Sequence, residues 1–211
     1  MKLGLKNIET YLVQLQETIS QLPAETIDRV IDTLLESAWN GRKVFICGNG
    51  GSASTASHFA CDLAKNTIVP GAPRFRVIAL TDNVAMMTAW ANDTAFDNIF
   101  AEQLIALVEP GDVVIGISCS GNSGNVLKAI EVARQQGATT IGFTGDQGGR
   151  LKDMVDICLM VTSPRIEQQE DIHLIVEHCI CAAIRDQLTQ KYTLLPQEAA
   201  YLASPDLIAG S

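Results

Sequence analysis

His58 and Asp62 stand four residues apart in a stretch with helical spacing. They therefore share one helix face, about one turn apart. An imidazole and a carboxylate so placed form a pair of titratable groups on one face, the feature to explain. Ahead of them runs Gly48-Asn49-Gly50-Gly51-Ser52. Backbone N–H groups where a glycine-rich turn enters a helix lack partners, so they suit an anion or several ligand oxygens. A second loop, Ser118-Cys119-Ser120-Gly121-Asn122-Ser123, sets three hydroxyls within six residues. With free amides at the following helix start, such a loop can bind phosphate oxygens. Helix capping by Ser120 or Asn122 needs only one such residue.

Each of these residues also has a plainer reading. His58 suits a helix-surface histidine, and Asp62 its i,i+4 partner. Glu170 lies in a stretch rich in Glu and Gln, where a solvated helix start is natural. His178, on an apolar helix, suits a core histidine with its hydrogen bonds satisfied.

The elements that must position these groups follow from hydropathy patterning. The chain has 211 residues, 47% hydrophobic and 18% charged, enough for one substantial core. Its net charge of −9 and lack of a basic cluster argue against nucleic acid and anionic membranes as partners. Six cysteines without CxxC spacing, most within apolar runs, fit reduced thiols in the cytoplasm. No apolar run reaches the length of a membrane span, and no signal-peptide pattern is seen at the N-terminus.

Helical periodicity over 3–22 and from Pro23 to about Trp39 predicts an N-terminal helical hairpin, residues 1–40, suited to assembly or to packing on its own core. Over 41–191, strands are expected at 43–47, 75–80, 113–117, 139–144 and 157–161. Helices are expected from Ser52, over 83–91, 97–107 and 124–136, briefly to about 155, and over 167–191. Asn92-Asp93 reads as a helix break. The tail, 192–211, carries Pro196 and Pro205 and receives no assignment. Apolar runs alternating with helices imply an α/β fold, a three-layer α/β/α arrangement around a five-stranded parallel sheet. Ligands of such sheets bind beyond the carboxyl ends of the strands.

Taken together, Gly48-Asn49-Gly50-Gly51-Ser52, His58-Phe59-Ala60, Asn92-Asp93, Ser118-x-Ser120-Gly121-Asn122-Ser123, Thr144-Gly145 and the late Ile172-His173…His178 resemble the phosphoheptose isomerase family of SIS (sugar isomerase) domains. The resemblance covers about residues 5–190. It implies a flavodoxin-like SIS fold and aldose–ketose isomerisation of a sugar phosphate, sedoheptulose 7-phosphate to D-glycero-D-manno-heptose 7-phosphate. It also implies a homotetramer with active sites at subunit interfaces. By position, it implies that Asn49, Gly50, Gly51, Ser52, Asn92 and Asp93 contact the sugar. Ser118, Cys119, Ser120 and Ser123 would hold phosphate, with Cys119 where a threonine is common. A divalent metal, zinc first, would be held by His58, Asp62, Glu170 and His178. Glu170 would also face substrate, Asp62 would act as base and His178 as acid.

Two positions depart from the family pattern. Asp62 stands where the family has Glu, shorter by one methylene, and Glu170 stands where it has Gln. Proton transfer is sensitive to such a change of reach. Glu170 and His178 are eight residues apart, about 12 Å of rise in an unbroken helix. One ion can hold both only if the chain bends at Glu170 or if they come from different subunits. The alternatives are a non-catalytic protein-binding adaptor, against which the four groups able to bind a metal argue, and a sugar-phosphate sensor without turnover, which Asp62 keeps open.

Overall fold

The computed structural model describes the backbone of residues 3–202 and the side chains of 4–193. Helices α1 (Leu3–Ser20) and α2 (Ala24–Trp39) come first. Then follow β1 (Lys43–Gly48), α3 (Gly51–Lys65), β2 (Arg76–Ala79), α4 (Val84–Asp93), a 3-10 turn (Phe96–Asn98) and α5 (Ala101–Leu107). The second half runs β3 (Val113–Ser118), α6 (Gly124–Gln135), β4 (Thr139–Thr144), α7 (Leu151–Met154), β5 (Ile157–Met160) and α8 (Ile166–Leu202).

All strand pairs are parallel, in the order β2-β1-β3-β4-β5. The chain winds outward from β1 to β2, then crosses to β3 and winds the other way. The reversal between β1 and β3 opens a crevice at their carboxyl ends, where open α/β sheets take ligands. The glycine loop follows β1 and the serine loop follows β3, so topology brings both to that crevice.

Strand side chains alternate between two cores, as the two-residue period requires. Val44, Ile46, Ile115 and Phe143 pack with α2, α3 and α8 through Leu34, Phe59, Leu63, Ile172 and Val176. Phe45, Cys47 and Val114 pack with α5, α6 and α7 through Leu104, Val126, Ile130 and Leu151. In the central strands Gly116 and Gly142 are register partners. A Cβ on Gly116 would stand 2.8 Å from Val126 Cγ1, and one on Gly142 3.1 Å from Leu151 Cγ. Helices α6 and α7 thus sit low on the sheet because those strands lack side chains there.

Helix α1 lies against α8, with Tyr11 Oη donating to Asp171 and Gln168 Nε2 donating to the Tyr11 carbonyl. That carboxylate pushes the Tyr11 phenol up to about 12. Leu5, Ile8, Leu12 and Val13 stay more than half exposed, so nothing among the described residues covers that apolar face.

Three local expectations change. Asn92 and Asp93 do not break the helix but complete α4, which ends at Thr94, whose hydroxyl donates to the Trp90 carbonyl. The expected 97–107 helix is split, its start being the 3-10 turn. The final helix runs on through part of the unassigned tail to Leu202, while 203–211 lie outside the described residues.

Candidate active site

The serine loop forms a cradle. Ser118 Oγ lies 3.0 Å from Ser123 Oγ and 3.4 Å from Ser120 Oγ. Ser123 precedes α6 but makes no side-chain capping bond, so its hydroxyl stays with the cluster. Capping therefore does not account for these serines. Asn122 instead fastens the loop, its amide donating to the Ser120 carbonyl and accepting from the Arg150 N–H. Gly121 takes φ +62°, and a Cβ there would meet the Gly148 carbonyl oxygen at 1.9 Å, so only glycine fits.

The glycine loop is tied to this cradle. Asn49 and Asn125 form a reciprocal amide pair, each Nδ2 donating to the other's Oδ1 at 2.8 Å. Asn125 is buried and its Oδ1 also accepts from the Val126 N–H. The side chain of Asn49 is therefore spent on structure, and the loop offers a ligand its backbone. Gly50, at φ +56°, starts α3 without a side-chain cap. A cavity of about 270 Å³ adjoins the loop, walled by Gly48, Asn49 and Gly50 and, from α4, by Met87, Thr88 and Ala91. Asn92 and Asp93 are exposed, are bonded to each other, and form no part of that wall. Cys119 sits between the loops within reach of Ser52, and burial raises its thiol pKa. Its Sγ also lies 4.0 Å from Nδ1 of His173. His173 is buried, its Nε2 lies 3.2 Å from the Thr144 carbonyl, and desolvation pulls its pKa down to about 4.

Helices α3 and α8 run alongside each other in the same direction. At their start, Gly51 faces Glu170, and a Cβ on Gly51 would meet the Glu170 carboxylate at 2.5 Å. Seven residues further along both helices, His58 Nδ1 meets Glu177 Oε1 in a direct hydrogen bond. His178 Nε2 lies 3.8 Å from Asp62 Oδ2 and 3.7 Å from Glu177 Oε1. The His58 and His178 rings meet edge to face at 4.9 Å. Asn66 Nδ2 holds Asp62 Oδ1 at 2.7 Å.

His58, Asp62, Glu177 and His178 each offer a ligand atom within 4.8 Å of the others. Asp62 and Glu177 are buried while the two imidazoles reach the surface. The Glu177 hydrogen bond raises the His58 pKa, and burial raises that of Glu177. Oε2 of Glu177 is buried without a hydrogen-bond partner. A buried carboxylate with an unmatched oxygen is costly unless positive charge offsets it. Two imidazoles and two carboxylates are a donor set that fits zinc and also other divalent ions.

Of the four residues expected to share a metal, three come together and Glu170 does not. Helix α8 continues without a bend through 170–178, so Glu170 stays two turns away, against Gly51. The fourth group of the cluster is Glu177, which the sequence pattern does not single out.

A family model for the SIS domain matches residues 9–145, so the fold and its paired strand-end loops define a sugar isomerase domain. A phosphoheptose isomerase of Rhodospirillum rubrum is 45% identical over 70% of this chain and 78% of its own. One of Aliarcobacter butzleri is 41% identical over 82% and 93%. A solved phosphoheptose isomerase of Francisella tularensis superposes with a TM-score of 0.80 at 36% identity, covering 87% of this chain and 98% of that one. The chain belongs to the phosphoheptose isomerase family.

Proposed function

We propose that the chain interconverts sedoheptulose 7-phosphate and D-glycero-D-manno-heptose 7-phosphate. The observation that carries this is the joining, in one member of that family, of a serine cradle to a seam of imidazoles and carboxylates. The hydroxyls of Ser118, Ser120 and Ser123, with the Cys119 segment and the first amides of α6, take the phosphate. The amides of Gly50, Gly51 and Ser52 hold sugar oxygens, with Asn49 fixing the loop. Glu170, beside Gly51, faces the sugar, and Asn92 and Asp93 contribute from the end of α4.

Asp62 takes a proton from C1 while His178 gives one to the carbonyl oxygen at C2, which yields an enediol. Return of a proton to C2 and loss of the O1 proton completes the aldose. A divalent cation held by His58, Asp62 and His178 beside the buried Glu177, zinc first, would polarise the sugar oxygens.

The functional unit is a homo-oligomer, a tetramer, with its sites at subunit interfaces. The uncovered apolar face of α1 supports this. A cytoplasmic setting suits the free cysteines. Among the described residues no helix is long and apolar enough to cross a membrane.

The test is turnover of sedoheptulose 7-phosphate by purified protein, with and without chelator, alongside the mass of the particle in solution. Chelator-sensitive aldose formation by a four-chain particle is expected. If no metal restores turnover while the sugar phosphate still raises the melting temperature, the reading fails in favour of a sensor.

A further inference from the structure

We infer that Glu177 is a positioning residue that holds His58 in one tautomer, and is not itself a ligand of the cation. The inference rests on the metal-assisted reading above and deepens it. Glu177 is fully buried, while the His58 side chain is 43% exposed. The contact between them runs from His58 Nδ1 to Glu177 Oε1. An ionised carboxylate can only accept, and an imidazole ordinarily holds a proton more tightly than a carboxylate does. The proton therefore sits on Nδ1, which removes that nitrogen as a ligand and leaves Nε2 bare on the outer side of the ring. A histidine that gives one N–H to a carboxylate and offers the other nitrogen to a metal is a recurrent arrangement, and the carboxylate makes the ring a better donor.

Hydrogen bonding, not distance, sets Glu177 apart: its Oε1 is engaged by the His58 ring and its Oε2 is enclosed without a polar partner. Its charge acts on the cation site through His58 and through His178, 3.7 Å away. This bears on the shortened Asp62. A side chain one methylene shorter gives weaker reach at the cation, and a buried carboxylate behind His58 restores basicity at the neighbouring ligand. The groups left to hold the cation within one chain are His58, Asp62 and His178.

The test reads the ring and the metal directly, so it does not depend on which sugar is turned over. Long-range ¹H–¹⁵N correlation spectra of the metal-free protein, at a pH where imidazole is neutral, report which nitrogen of His58 carries the proton. The Nδ1–H form is expected to dominate in the unaltered chain. Glu177→Leu should relax it to the mixture of free imidazole and weaken Zn²⁺ binding 10–100-fold in chelator competition. Glu177→Gln keeps an acceptor and should recover part of both. The inference is overturned by an Nε2–H tautomer in the unaltered protein, or by Zn²⁺ affinity within twofold in Glu177→Leu. Loss of Zn²⁺ in Glu177→Gln with an unchanged tautomer would make Glu177 a ligand and overturn it equally. If the variants do not fold, the spectrum of the unaltered protein still decides.

Discussion

Helices α3 and α8 meet at two stations seven residues apart, and the two are built differently. At the first, Gly51 lacks a side chain and Glu170 fills the space against the α3 backbone. At the second, two turns or about 10 Å further on, His58 fills the space and Glu177 is buried beneath it. The same pair of parallel helices thus presents backbone and a carboxylate beside the serine cradle, then two imidazoles and two carboxylates further along. The first station is suited to recognising a ligand and the second to moving protons. Geometry common to both comes from helix register, and the difference comes from what each side chain leaves uncovered.

That contrast is sharpest if the two stations fail separately. The largest effect is expected at the second. Asp62→Asn should lower kcat by 10²–10⁴-fold, the range for a general base. Stabilisation by inorganic phosphate, read as a thermal shift, should stay intact. Loss of both together would merge the stations into one. At the cradle, Ser123→Ala should raise KM by about tenfold, the value of one hydrogen bond to a charged group, with kcat little changed. A fall in kcat at constant KM would break the division of labour.

A separate effect, on stability and not on turnover, concerns His173, which lies on α8 between the two stations. His173 is held neutral when folded, at about 4, against about 6.5 when unfolded. Between those values the unfolded chain binds more protons, so stability rises with pH over that window and is lost as pH falls from 6.5 towards 4. The shift corresponds to roughly 3 kcal/mol. Denaturant midpoints measured across that window should show this slope, and His173→Leu should flatten it. An unchanged slope would assign the acid sensitivity to another group.

Much of this was legible in the sequence, for identifiable reasons. Short apolar runs such as 113–117 and 139–144 lie between helical patterns, and that spacing carries a parallel sheet. Gly50 and Gly121 mark turns at positive φ, where glycine is favoured. The end of α4 was not legible because Asn92 and Asp93 are turn formers by propensity, yet the last helical turn accepts them. Glu177 was hidden for a deeper reason. Between Val176 and His178 it reads as an ordinary helix residue, and its partner is 119 positions away. The signal was present as equal spacing, Gly51 to His58 and Glu170 to Glu177. It acquires meaning only once α3 and α8 are known to lie side by side in parallel.

The paired glycines of β3 and β4 have a consequence of another kind. Because Gly116 and Gly142 leave a notch in the middle of the sheet, α6 can settle close to it, with Val126 filling the space. The first turn of α6 carries both Asn125, which clasps the glycine loop, and the amides beside Ser123. One added methyl deep in the sheet would act as a shim. It would lift the helix and with it both loops of the crevice, changing ligand affinity from a position no ligand touches.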